Sequence, residues 1–366
     1  LYPLREHYYN TLHAGALGTF ADLLHAVAKA PAMLQFLNNQ QNRKKAPNEN
    51  FAREVMELFT LGRGHYTETD IKEAARAFTG WGFDDTGQFV FRSWQHDTGA
   101  KTFRGQTGTF GGEAILDALL ADRQTARYIT QKLYRYYVGT TPPADRLEEL
   151  SAAFYRSSYA IEPLIQSLVT EPWAQASQGL RIKSPAELLA GLMRTFGVRF
   201  ADPGTAYFLQ KLLGQVVLDP PSVAGWPKGR QWIDSSSMLL RLRLGEVLLL
   251  SGELGVAAKD DGDAQTTDSE LLSQMAGRMG VAQLRGRLGK LQATADFETF
   301  ARPFEGLSGD ALLDALAQHL LPVPPTQGAR AVIAQRARNL PPAWQGQTET
   351  FAYALLLVGL PEYQLC

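Results

Sequence analysis

Apolar positions recur with a helical period along most of this chain. Phe20, Leu23, Leu24 and Val27 stand at i, i+3, i+4 and i+7, and Ile115, Leu116, Leu119 and Leu120 repeat the spacing. Tyr155 and Tyr159 lead into Leu164, Ile165, Leu168 and Val169 in the same way. Further helices are expected over 184–196, 237–250, 268–279, 308–321 and 350–358. Ser184-Pro185 reads as a helix start, a capping hydroxyl followed by Pro at the first helical position. Gly15, Gly62, Gly139 and Gly197 stand where helices should stop. One stretch breaks the period: FDDTGQFVFRSW at 83–94 places Asp85-Thr86-Gly87 before alternating Phe89 and Phe91, which predicts a β-hairpin. Residues 101–104 would add a third short strand, and the Gly-rich run 103–112 an irregular loop. The expected fold is all-α, a single-domain array of many helices with one small β-hairpin near 83–94.

Punctuation divides the array. The Pro/Gly run DPPSVAGWPKG at 219–229 excludes a regular element. The polar run AAKDDGDAQTTD at 257–268 reads as a mobile loop. A main helical domain over 1–256 and C-terminal helices over 269–366, packing on the same core, are expected on either side.

With 366 residues, 45% hydrophobic and 20% charged, the chain can bury a sizeable core, which excludes a wholly disordered protein. Thirty-six Lys and Arg against 37 Asp and Glu give no global attraction to nucleic acid. The short basic run Arg43-Lys44-Lys45 lacks interleaved aromatics. The one cysteine, Cys366, excludes an intrachain disulfide and a cysteine-based metal site. No apolar run approaches the roughly 18 residues of a membrane span, so none is expected. LYPLREHYYN at 1–10 has neither an initiator Met nor a basic region followed by an apolar one. The chain is therefore expected to begin inside something longer, or after processing.

Several long motifs carry a family resemblance. They are PNENFAREVMELFTLG (47–62), GHYTETDIKEAARAFTGW (64–81), HDTGAKTFRGQTG (96–108), IKSPAELL (182–189), PPSVAGWPKGRQWI (220–233) and LPEYQLC (360–366). Together they resemble the bacterial family catalogued as domain of unknown function eighteen hundred, over nearly the whole chain. The resemblance implies an exported, mainly helical protein of the periplasm or the exterior, with its export signal expected upstream of Leu1 and with no assigned reaction. It also implies a partner, a second exported protein similar to alkaline phosphatases and sulfatases, often encoded beside it. Members carry a further N-terminal helical portion with a His-Asn-His motif that this sequence does not contain. They often have Asp where Asn38 stands, so no metal or acid–base site is carried over from the family.

The residues offer their own candidates. On an α-helical wheel for 50–61, Phe51, Val55, Leu58, Phe59 and Leu61 form an apolar arc, Glu54 falls within it and Glu57 on its edge. A carboxylate there must be paired, hydrogen-bonded or protonated. Glu54 is thus either a structural anchor, with Arg76 on the next helix as the expected partner, or a functional acid with Glu57 beside it. His96 and Asp97, with Lys101 nearby, occupy a loop, where function and a loop lock compete evenly. Trp226 and Trp232, with Lys228 between them, form either a binding platform or a pin that fixes their loop to the body. Asn48 to Asn50 and the Thr67/Asp70 pair read as helix starts. The glycines at 105, 108, 111 and 112 are followed by no Gly-Lys-Ser/Thr, no Gly-x-Ser-x-Gly occurs, and His7 and His13 are off one helical face, with His25 on a later helix. Neither a metal nor a cofactor is expected. Two function classes follow: a binding or scaffold module acting with the phosphatase/sulfatase-like protein, or a hydrolase of a polymer or ester with Glu54 or Glu57 as acid or base.

Overall fold

The computed structural model describes residues 2–250, 293–341 and 344–366. The helix expected at 268–279 and the loop expected at 257–268 lie outside them. The described residues are predominantly α-helical, with three two-stranded sheets, so the all-α reading with a small hairpin holds. By contact the chain divides into two compact units, Leu1–Ser177 and Gln178–Cys366.

In the first unit, α1 (Tyr2–Gly15), α2 (Phe20–Lys29) and α3 (Pro31–Phe36) precede α4 (Asn50–Glu54). A π-helical turn, Val55–Thr60, follows directly, and then α5 (Glu68–Ala77). Thr67 and Asp70 make the expected reciprocal cap of α5. The hairpin pairs β1 (Trp81–Phe83) with β2 (Phe89–Phe91), Gly82 opposite Val90. Asp84 fixes its turn by accepting the backbone N–H groups of Thr86 and Gln88 at 3.0 and 2.9 Å. The third strand, β3 (Lys101–Phe103), does not join that sheet; it pairs with β4 (Gln106–Gly108) in a second hairpin. Helices α6 (Gly112–Ala121), α7 (Arg123–Tyr137), α8 (Ala144–Arg156), α9 (Ile161–Thr170) and α10 (Pro172–Ala176) complete the unit. The apolar period running from Tyr155 into Val169 hides a break. Ser158 and Tyr159 have φ of 54° and 64°, which ends α8 and re-aims the chain into α9.

Two clusters form this unit's core. Ile129, Tyr134, Leu150, Phe154, Leu164 and Leu168 join α7, α8 and α9. Phe51, Phe78 and Trp81 stack edge-to-face at 4.9 and 5.2 Å between α4, α5 and β1. Beside them Asn39 and Asn42 are fully buried. Asn39 donates to the carbonyls of Phe78 and Trp81, and Asn42 to those of Ala75, at 2.8 Å, and of the Asn39 side chain. These amides tie the loop before α4 to α5.

The second unit contains α11 (Pro185–Thr195), α12 (Pro203–Leu213), α13 (Ser235–Leu249), α14 (Phe297–Ala301), α15 (Gly309–Leu320), α16 (Gln327–Arg338) and α17 (Glu349–Val358). A short pair, β5 (Arg199–Phe200) with β6 (Ala293–Thr294), joins residues far apart in sequence. Ser184 and Glu187 cap α11 reciprocally. Leu188, Leu192, Phe196, Leu209, Leu244, Leu316 and Leu357 meet in a single cluster. Arg241 is 1% exposed within it, donating to Gln364 Oε1 at 3.1 Å and to the Lys183 carbonyl at 2.7 Å. It thereby ties the 182–189 motif to the closing LPEYQLC.

Candidate functional site

The most distinctive local geometry lies where Glu54 and Glu57 stand. The stretch 50–61 is not one α-helix. At Val55 the backbone widens into the π-turn, and the Leu61 N–H donates five residues back to Met56 O at 2.9 Å. The wider turn slips the helical phase. Met56 and Thr60 take the fully buried positions, whereas Leu58 and Phe59, assigned to the apolar arc by the α-helical wheel, are only half-buried. Thr60 closes the turn by donating its hydroxyl to Val55 O at 2.7 Å. Helix α7 supplies donors to carbonyls at its far end: Lys132 Nζ reaches Leu58 O and Gln124 Nε2 reaches Leu61 O, both at 2.8 Å. Gly62, at φ 84°, ends the turn against the ring of Tyr128, where an added Cβ would lie 2.7 Å from a ring carbon.

Glu54 is half-buried rather than enclosed, and it makes no hydrogen bond or ion pair among the described residues. The expected Glu54–Arg76 pair does not form. Arg76 turns the other way, donating to Asp97 at 2.7 Å, to Glu73 at 2.8 Å and to Ala100 O at 3.1 Å. Loss of solvent, and then the neighbouring Glu57, push the Glu54 carboxyl above its ordinary value; Arg53 and Arg63 oppose this. Glu57 is the reverse case. It accepts the Tyr66 hydroxyl and the Arg63 guanidinium, with Arg63 Nε at 2.9 Å, and these bonds hold its carboxyl below the usual range. Burial and the bond to Glu57 push the Tyr66 phenol up to about 12. Two carboxylates one helical turn apart are therefore driven in opposite directions. Arg63 and Tyr66, which shape this contrast, were not among the sequence candidates: Tyr66 lies within the 64–81 motif and Arg63 just before it, but no local spacing points either at Glu57.

The other loop candidates gather around Arg76. Asp97 is held below its ordinary range chiefly by the Arg76 bond. Its backbone N–H donates to Thr79 Oγ1 at 2.8 Å. His96 donates Nδ1–H to Thr79 O at 2.9 Å, and its Nε2 has no protein partner among the described residues. Lys101 is 1% exposed and spends its ammonium on the carbonyls of Asp97 and Gly99, at 2.5 and 2.9 Å; burial pushes it down. The arrangement locks the 96–101 loop onto α5. No bond links it to Glu54 or Glu57.

Trp226, Lys228 and Trp232 belong to the second unit, Asn38 and Asn48 to the first. Trp232 is buried, Trp226 half-buried and Lys228 exposed. Asn48 acts one residue beyond its expected role, accepting the Asn50 N–H at 2.9 Å, while Glu49 precedes α4 with no side-chain cap. Asn38 is exposed and left-handed, φ 57°, a conformation that Asn and Asp share.

Two further groupings in the first unit were missed. His25 stands between Glu113 and Asp117, its two ring nitrogens 2.8 and 2.9 Å from their carboxylates, and so bridges α2 and α6. A cleft of about 430 Å³ is lined by Thr67, Asp70, Thr102 and Arg104. Neither includes Glu54, Glu57 or His96. Among the described residues no three His, Cys, Asp or Glu side chains group as metal ligands, and no helix is long and apolar enough to cross a membrane.

No curated protein and no solved structure matches the chain. A family profile does, over residues 2–365, in keeping with the motifs at 47–81 that build α4, the π-turn and α5. The chain belongs to the family described as protein of unknown function (DUF1800).

Proposed function

We infer that this chain is an extracytoplasmic helical binding or scaffold module, acting with the phosphatase/sulfatase-like exported protein that the family resemblance implies. The observation that carries this reading is the dispersal of its reactive side chains into separately satisfied clusters. Glu57 is committed to Arg63 and Tyr66, Asp97 to Arg76, and Lys101 to two carbonyls. An acid–base enzyme needs such groups to reach one substrate position. Mixing the purified chain with that partner and measuring sedimentation tests the reading. A defined complex is expected at micromolar concentrations; two independent species there would refute it.

One observation favours the hydrolase reading. Glu54 is raised and Glu57 lowered, the contrast that lets neighbouring carboxyls serve as acid and base. Activity on ester or polymer substrates with a bell-shaped pH profile, whose limb vanishes in Glu54→Gln, would establish it. A flat profile, or none at all, would remove it. The extracytoplasmic location is tested by fractionating cells that express the native full-length protein; recovery in the cytosol would contradict it.

A further inference from the structure

Helices α7 and α8 pack side by side and leave a cleft of about 210 Å³ between them. Its charged lining follows from helical spacing. Arg123 and Arg127 stand at i and i+4 on α7; Glu148, Tyr155 and Arg156 stand at i, i+7 and i+8 on α8. Three guanidinium groups thus face a single carboxylate. Arg127 spends one nitrogen on Glu148 at 2.9 Å. The guanidinium of Arg123 lies 5.5 Å from the centre of the Tyr155 ring, and neither it nor that of Arg156 makes a hydrogen bond or ion pair among the described residues. Asp122, the N-cap residue next to Arg123, is already paired with Arg104. Tyr155 donates its hydroxyl to Ala121 O, so its ring serves as a wall and its polar atom is occupied.

Like charges brought together without counter-charges favour an anion. Guanidinium forks match tetrahedral oxyanions geometrically, better than an ammonium does. Drug-sized ligands fill about 300–1,000 Å³, so this smaller cleft suits a single small group. We propose that the α7/α8 cleft is a binding site for a tetrahedral oxyanion, a phosphate or sulfate, held by Arg123 and Arg156 with Arg127 in support. The group is either a free ion or the end of a monoester whose remainder lies outside the cleft.

Calorimetric titration of the full chain with inorganic phosphate, inorganic sulfate, phenyl phosphate and phenyl sulfate tests this. Saturable binding is expected for at least one ligand, weakening as salt is added. Tighter binding of the monoesters identifies an esterified ligand; equal binding of the inorganic ions identifies a free one. Both arginines are exposed, so the Arg123→Gln/Arg156→Gln double variant should fold, and its affinity should fall at least tenfold. Glu148→Gln, which frees Arg127 and removes the opposing charge, should tighten binding severalfold, a change that a purely structural role would not produce. Absence of saturable binding for all four ligands overturns the proposal. So does unchanged affinity in the folded double variant.

Discussion

Replacing Glu54 and Glu57 by Gln, one at a time, should change stability in opposite directions. Glu57→Gln keeps the shape and an acceptor for Tyr66 but removes the charge. A hydrogen bond to a charged group contributes about 1.5–3 kcal/mol and a neutral one about 0.5–1.5, so the loss is about 1 kcal/mol. Arg63 adds little to that, because its side chain is 87% exposed. Glu54→Gln removes a half-buried carboxylate that has no hydrogen bond or ion pair among the described residues, so at neutral pH the variant should equal or exceed the parent.

Linkage gives each effect its own pH window. The folded carboxyl of Glu57 lies below its unfolded value, so its stabilisation is complete above about pH 4.3 and is lost as pH falls through the folded value. The folded carboxyl of Glu54 lies above its unfolded value, so its penalty acts at neutral pH and is relieved as pH falls. The difference between the two variants should thus be largest near pH 7 and shrink toward about pH 4. Urea unfolding of the full chain at both pH values, read by circular dichroism, measures it. In a unit the size of Leu1–Ser177, 1 kcal/mol corresponds to a thermal shift of about 2–4 °C. Greater loss in Glu54→Gln than in Glu57→Gln at neutral pH would mean that Glu54 has a stabilising partner, and would refute the reasoning.

Other perturbations have equally definite outcomes. Gly62→Ala forces a Cβ into the Tyr128 ring at a left-handed φ, and should destabilise by at least about 1–2 kcal/mol in a thermal melt. Asn42→Ala deprives the Asn48 N–H of its buried acceptor and should cost about 2–3 kcal/mol by chemical denaturation, against nearly nothing for exposed Asn38→Ala. Trp232→Ala should cost about 3–5 kcal/mol and half-buried Trp226→Ala clearly less; equal losses would show that both indoles pin the loop.

What the sequence conveys here depends on how local the cause is. The hairpin was legible because a turn triplet and a two-residue period lie within ten residues, and both reciprocal caps span only three. The π-turn was not, because VMELFT keeps an apolar spacing that an α-helix also satisfies. The contacts that meet the wider turn come from outside the segment, from Gln124, Tyr128 and Lys132. Helix order points Arg76 at Glu54, yet the loop at 96–101 delivers Asp97 to it from 21 residues away. Helix α16 leaves no apolar period to read, because its only fully buried apolar residue is Ile333.

Helix α7 shows why the informative features of the first unit sit together. Ala126, Ile129 and Tyr134 give it a core stripe. Gln124, Tyr128 and Lys132, at i, i+4 and i+8, form a second stripe that meets the π-turn through two carbonyls and Gly62. Arg123 and Arg127 form a third, along the α8 cleft. Anchoring by the core stripe fixes the rotation of the other two, so the α7 contacts to the π-turn and the convergence of the arginines share one mechanical support. Substitutions at the solvent end of either polar stripe should therefore alter one feature without the other, whereas a cavity at Ile129 should disturb both.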